Sequence, residues 1–122
     1  RLPLSRFTLS HLLFYSSPVY SPYIEVTPNA TYTVTGWVKT TDESLEKAPD
    51  GFLRLDFYAE ENSDSLATYL TPRATKTDWQ KLTTTGVAPQ NAKFLKIGFQ
   101  TIAGAESGEF WIDEVVLFGV IP

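Results

Sequence analysis

Thirteen residues, PNATYTVTGWVKT from Pro28 to Thr40, restrict the fold more than any other part of the chain. Pro28-Asn29 is turn chemistry, because proline presets its backbone angle and asparagine tolerates the left-handed region. The residues that follow alternate without a break. Tyr32, Val34, Gly36 and Val38 share one side, while Thr31, Thr33, Thr35, Trp37 and Lys39 share the other. A period of two, carried by β-branched and aromatic residues, is a half-buried strand. Its first face is apolar and small enough to pack on a second sheet. The other face is polar except for one indole.

Most of the chain repeats this pattern. Arg1 to Ser5 reads as an irregular lead-in, followed by a strand from Phe7 that continues into Leu12-Leu13-Phe14. Val19 to Val26 forms a second strand, with Pro22 restricting its middle to an edge or a bulge. After the organising strand, Thr41 to Gly51 is polar, ends in Pro-Asp-Gly and reads as a loop. Phe52 to Glu60 turns Leu53, Leu55 and Phe57 inward and Arg54, Asp56 and Tyr58 outward. Leu66 to Leu70 returns from a hairpin turn, and Trp79 to Val87 is the next strand. Phe94 to Ile102 sends Leu95, Ile97 and Phe99 inward against Lys96, Gly98 and Gln100. Gly104 to Gly108 is a flexible turn, and Phe110 to Val120 closes the chain with a β-bulge at Asp113-Glu114. About eight short strands at roughly 8–12-residue spacing predict an all-β fold, a two-sheet antiparallel β-sandwich.

Composition narrows what such a sandwich can do. A chain of 122 residues is most simply one domain, residues 1–122. Net charge of −4 with no basic run argues against a nucleic-acid surface, which needs a clustered positive field. No apolar stretch approaches bilayer length, so membrane insertion is not expected. The chain has no cysteine, which removes disulfides, thiolate metal sites and cysteine nucleophiles. His11 stands in no triad or elbow context and reads as structural. Asn29-Ala30-Thr31 is a formal glycosylation sequon that also serves the turn. Asp56, Glu60 and Glu61 offer carboxylates for glycoside hydrolysis, but a small sandwich without a deep cleft favours a protein that is not an enzyme.

Three motifs in fixed order resemble carbohydrate-binding modules of families 4, 9 and 22: VTPNATYTVTGWVKT, then DWQKLTTTGVAP, then FWIDEVVLFG at the end. The resemblance runs from about Val19 to Phe118 and implies a jelly roll of the galactose-binding-domain-like kind. It further implies a polysaccharide or oligosaccharide partner on a concave sheet, a secreted or cell-surface location, and a catalytic domain in the same full-length chain. A structural calcium commonly accompanies these modules. Asp113 matches the acid of the terminal motif and is the first candidate calcium ligand, with Glu25 the second. The opening Asn-Gly-x-Phe-Glu-like run of those families has no counterpart before Phe7, so the N-terminal strand is either incomplete or divergent.

Against that background the candidate ligand-binding residues are Trp37, Arg54, Asp56, Tyr58, Gln100 and Tyr69. An indole or phenol buries the apolar C–H face of a pyranose, while guanidinium, carboxylate and amide groups bond its hydroxyls. The alternatives are a Trp37 covered by a neighbouring segment, and an Arg54–Asp56 pair that is only a solvated face. The resemblance implies that Trp79 packs at an end of the sandwich, and Trp111 reads as an interface or packing residue. The functional expectation is a non-catalytic module holding a polysaccharide, a β-glucan or xylan. It stacks the sugar on Trp37 and Tyr58 and bonds it through Arg54, Asp56 and Gln100, all lining a single trough. The competing expectation is a structural or adhesive β-sandwich whose aromatic face meets another protein.

Overall fold

A computed structural model describes residues 2–7, 12–14, 19–42, 44, 51–101 and 108–120. The strands are β1 (Leu2–Phe7), β2 (Leu12–Phe14), β3 (Val19–Tyr20), β4 (Ile24–Glu25), β5 (Thr31–Thr40), β6 (Phe52–Tyr58), β7 (Ser65–Leu70), β8 (Gln80–Val87), β9 (Phe94–Gln100) and β10 (Gly108–Val120). They form two five-stranded antiparallel sheets. Sheet I has the order β1-β10-β5-β8, with β2 also on β10; sheet II has the order β3-β9-β6-β7, with β4 also on β9. From β4 onward every connection crosses between the sheets except the β6–β7 hairpin. The result is a β-sandwich of jelly-roll type.

The organising strand behaves as its pattern requires. Pro28 and Asn29 occupy the centre of a turn closed by Ala30 N–H donating to Thr27 C=O at 3.2 Å, and Asn29 has the positive φ of 66° that a type II turn demands. The Thr27 N–H donates to the Tyr32 hydroxyl at 2.7 Å, tying the turn to the core. Along β5, burial then alternates residue by residue, and Tyr32, Val34 and Val38 are sealed between the sheets. Leu53, Leu55 and Phe57 of β6 and Leu95, Ile97 and Phe99 of β9 face them from sheet II. Each large side chain sealed this way contributes on the order of 1.5–3 kcal/mol. Among the described residues no buried side-chain nitrogen or oxygen lacks a hydrogen-bond partner.

Several departures from the sequence reading have clear causes. The supposed lead-in Arg1 to Ser5 is mostly strand: β1 pairs with β10, shifting register between Pro3 and Ser5. An edge strand tolerates a proline that an interior strand would reject. The segment Val19 to Val26 divides into β3 and β4, interrupted at Ser21–Tyr23 beside Pro22, and both pieces pair with β9. The bulge at Asp113-Glu114 is present, with a register shift between Asp113 and Val116 and a φ of 54° at Glu114. His11, most of the loop from 41 to 50 and most of the turn from 104 to 108 lie outside the described residues.

Tyr69 links the two sheets. Its ring meets Phe57 edge-on at 6.0 Å and lies flat on Gly86 of β8, where an added Cβ would come within 2.4 Å of it. Gly86→Val should therefore destabilise the fold by about 1–3 kcal/mol through overpacking. Chemical denaturation of Gly86→Val, Tyr69→Ala and the double variant checks this: the double variant should lose measurably less than the summed single losses.

Candidate functional site

The outer face of sheet II is built in rows set by strand register. Tyr20 of β3 pairs with Gly98 of β9, which pairs with Arg54 of β6, which pairs with Leu70 of β7. The adjacent row holds Lys96, Asp56 and Thr68, and the next pairs Phe94 with Tyr58. At the other end Gln100 pairs with Phe52. Because side chains alternate along a strand, all of these outward groups share one surface.

Asp56 organises that surface. Its carboxylate is fully buried although its side chain points away from the core, since its neighbours cover it. Arg54 grips it through two parallel bonds, Nε to Oδ2 at 2.9 Å and Nη2 to Oδ1 at 3.0 Å, and the Thr68 hydroxyl also donates to Oδ1. Arg54 Nη1 donates to Gln100 Oε1. Three of the five guanidinium N–H groups are thereby used, and one on each Nη is left for a ligand. Burial, the largest single influence, pulls the Arg54 guanidinium down, but its bond to Asp56 and the attraction of that carboxylate and of the Tyr20 and Tyr58 phenols together hold it above its ordinary range. This is not the weak solvated pair that exposed Arg–Asp contacts usually are. Asp56 fixes the guanidinium; Arg54 faces outward.

The aromatic part of the face comes from three tyrosines around one lysine. Lys96 Nζ lies 4.1 Å from the ring centroid of Tyr23, 5.3 Å from Tyr20 and 5.8 Å from Tyr58. Tyr23 meets Tyr58 edge-on at 5.5 Å and accepts a bond from the Asn62 N–H at 2.7 Å. Tyr20 lies over Gly98, where a Cβ would approach its ring to 2.8 Å, with the Arg54 guanidinium 5.9 Å from the ring centroid. It is the open platform of the group, 36% exposed, whereas Tyr58 is only 9% exposed. Burial and the nearby Asp56 carboxylate push the Tyr58 phenol up to about 12, and the Tyr20 phenol is raised for the same two reasons.

The residues singled out in the sequence therefore divide. Arg54, Asp56, Tyr58 and Gln100 do come together. Trp37 does not join them: it lies on β5 in sheet I, 40% exposed on that sheet's outer face and on the opposite side of the sandwich. The single trough expected from the sequence is thus two separate faces. Strand parity correctly turned Trp37 outward, but only long-range pairing decides which sheet a strand joins. Tyr69 is turned into the core rather than onto either outer face. Asp113 and Glu25 sit on different sheets, and the described residues contain no group of three or more acids or histidines able to hold a metal ion. Trp79 is not sealed at the sandwich end but is 38% exposed beside Lys39.

Tyr20 and Tyr23 were missed because Pro22 hides the periodicity of VYSPYIEV. The signal available was three aromatic or proline residues within five positions of a segment that had to end up at a sheet edge.

No family model and no curated protein matches the chain. Solved structures do. A family 16 carbohydrate-binding module superposes with a TM-score of 0.59 at 14% identity, over 93% of this chain and 74% of that one. A family 4 module gives 0.61 at 16% identity, over 84% and 61%. The family 22 and catalytic modules of Clostridium thermocellum xylanase 10B, complexed with xylohexaose, give 0.60 at 11% identity, over 94% of this chain and 28% of that one. The chain has the fold of these carbohydrate-binding modules. It has that fold with its own set of polar and aromatic groups on the outer face of sheet II.

The raised tyrosines make a pH prediction. A phenol whose folded value is about 12 against an ordinary 10.0 favours the folded state below pH 10 and loses that contribution as pH rises through 12. Thermal melts of the wild type should fall across pH 10–12, and Tyr58→Phe should show a shallower fall over the same window.

Proposed function

We propose that this chain is a non-catalytic carbohydrate-binding module that holds a neutral polysaccharide, a β-glucan or xylan, on the outer face of sheet II. The observation that carries the reading is the Asp56-anchored guanidinium beside an open tyrosine ring. A pyranose stacks its C–H face on Tyr20, and its hydroxyls accept bonds from the remaining N–H groups of Arg54 and from Lys96. The Gln100 amide, its oxygen already used by Arg54, offers its N–H donors. Because the network is in place before ligand arrives, little side-chain freedom is lost on binding.

The xylohexaose bound by the xylanase 10B structure supports the choice of xylan, and its fused catalytic domain supports attachment to an enzyme. Such a module performs no chemistry. It raises the local concentration of its linked catalytic domain at an insoluble substrate, which requires a secreted or cell-surface protein. A mixed set of donors next to an aromatic platform suits a sugar better than a purely apolar protein interface.

Affinity electrophoresis in gels containing xylan or β-glucan tests this. Tyr20→Ala should reduce retardation at least tenfold while the thermal midpoint moves by only a few degrees. Arg54→Ala should reduce it as much and also lower the midpoint, because it strips two bonds from the buried Asp56 carboxylate. Gly98→Val, which drives a side chain into Tyr20 and Arg54, should have the same effect by displacing both contacts while leaving their residues in place. Retardation unchanged in all three would remove this face from the function.

A further inference from the structure

The outer face of sheet I carries a second set of aromatic and cationic groups that the face on sheet II does not use. Lys39 Nζ lies 5.1 Å from the Trp79 ring centroid and 5.2 Å from that of Trp111, one indole on each flank. One step along β5, Trp37 stands directly opposite Lys81 of β8. Trp37, Trp79 and Lys81 are all exposed. Two open indoles and two ammonium groups thus alternate across β5 and the start of β8. Beyond them the face turns to threonine: Thr33 and Thr85 pair across the strands with their hydroxyls 2.8 Å apart.

We propose that this face binds an acidic sugar chain, one bearing uronate carboxylates, independently of the neutral-sugar face on sheet II. An indole supplies the apolar platform for a pyranose ring, and an adjacent ammonium pairs with the carboxylate on that ring. An ammonium bonds a carboxylate more strongly than a neutral hydroxyl, so lysines set beside the indoles favour a charged sugar over a neutral one. A nucleic acid would need a broad positive field, against a net charge of −4. The threonine rows offer hydroxyl partners where a protein interface would carry contiguous apolar side chains. Carboxylates flank the patch, Asp113 accepting the Glu114 amide and Asp78 the Trp79 amide, each at 2.8 Å, so the acidic chain is placed between them, over Trp37 and Lys81. With one face on each side of the sandwich, a single module can bridge two polysaccharide chains.

Affinity electrophoresis against polygalacturonate, with neutral xylan gels in parallel, tests the proposal. Wild-type chain should be retarded by polygalacturonate, and added salt should weaken the effect. Trp37→Ala should abolish it, and Lys39→Gln and Lys81→Gln should each weaken it about fivefold, the scale of one partly exposed charge pair. Lys81→Glu, an exposed change that spares the core, should abolish it even if the tryptophan variant folds poorly. Tyr20→Ala should leave it unchanged while losing retardation on xylan, which separates failure of this face from failure of the other. The proposal is overturned by absence of retardation on polygalacturonate, or by retardation indifferent to Trp37→Ala and Lys81→Glu. It is equally overturned if neutral xylan is held by Trp37 as strongly, or if Trp37→Ala instead dissolves a dimer seen in sedimentation.

Discussion

A single buried carboxylate governs the face on sheet II. Asp56 points away from the core yet is fully covered, and a covered carboxylate is tolerated only when its oxygens are bonded. Arg54 and Thr68 supply those bonds. Once the guanidinium is fixed, Gln100 and the ring of Tyr20 take their places against it. The rest of the fold serves to bring β3, β6, β7 and β9 side by side so that these groups meet.

Glycine is what allows the arrangement to close. At Gly98 the absence of a side chain lets Tyr20 and Arg54 share the same patch of sheet, and at Gly86 it lets Tyr69 lie across the gap between sheets. One glycine shapes the outer face and the other the interior, and both act by close approach of a ring to bare backbone. Lys96 and Lys39 play parallel parts on the two outer faces. Each holds its ammonium among aromatic rings, Lys96 among tyrosines and Lys39 between tryptophans.

Much of this was legible in the residues. Alternation in β5, β6 and β9 predicted which side chains enter the core, the Pro28-Asn29 turn was marked by its chemistry, and the bulge at Asp113-Glu114 was visible as broken alternation. Grouping Arg54, Asp56 and Tyr58 needed only a spacing of two along one strand. What parity cannot supply is sheet membership. Trp37 and Tyr58 both face outward, but β5 and β6 belong to opposite sheets, and nothing local in either segment says so. Tyr69 failed for the opposite reason: its strand was assigned correctly, while its inward orientation depends on its pairing with Leu55 and on the space above Gly86. Tyr20 and Tyr23 were hidden by a proline that splits their segment into two short edge pieces.

The most direct measurement is a titration of the isotopically labelled chain with xylohexaose, followed through its backbone amide resonances. The account predicts perturbations concentrated at Tyr20 to Tyr23, Arg54 to Tyr58 and Lys96 to Gln100, with the amides of β5 and β8 unmoved. Perturbations centred on Trp37 and Lys81, or none at saturating ligand, would contradict it.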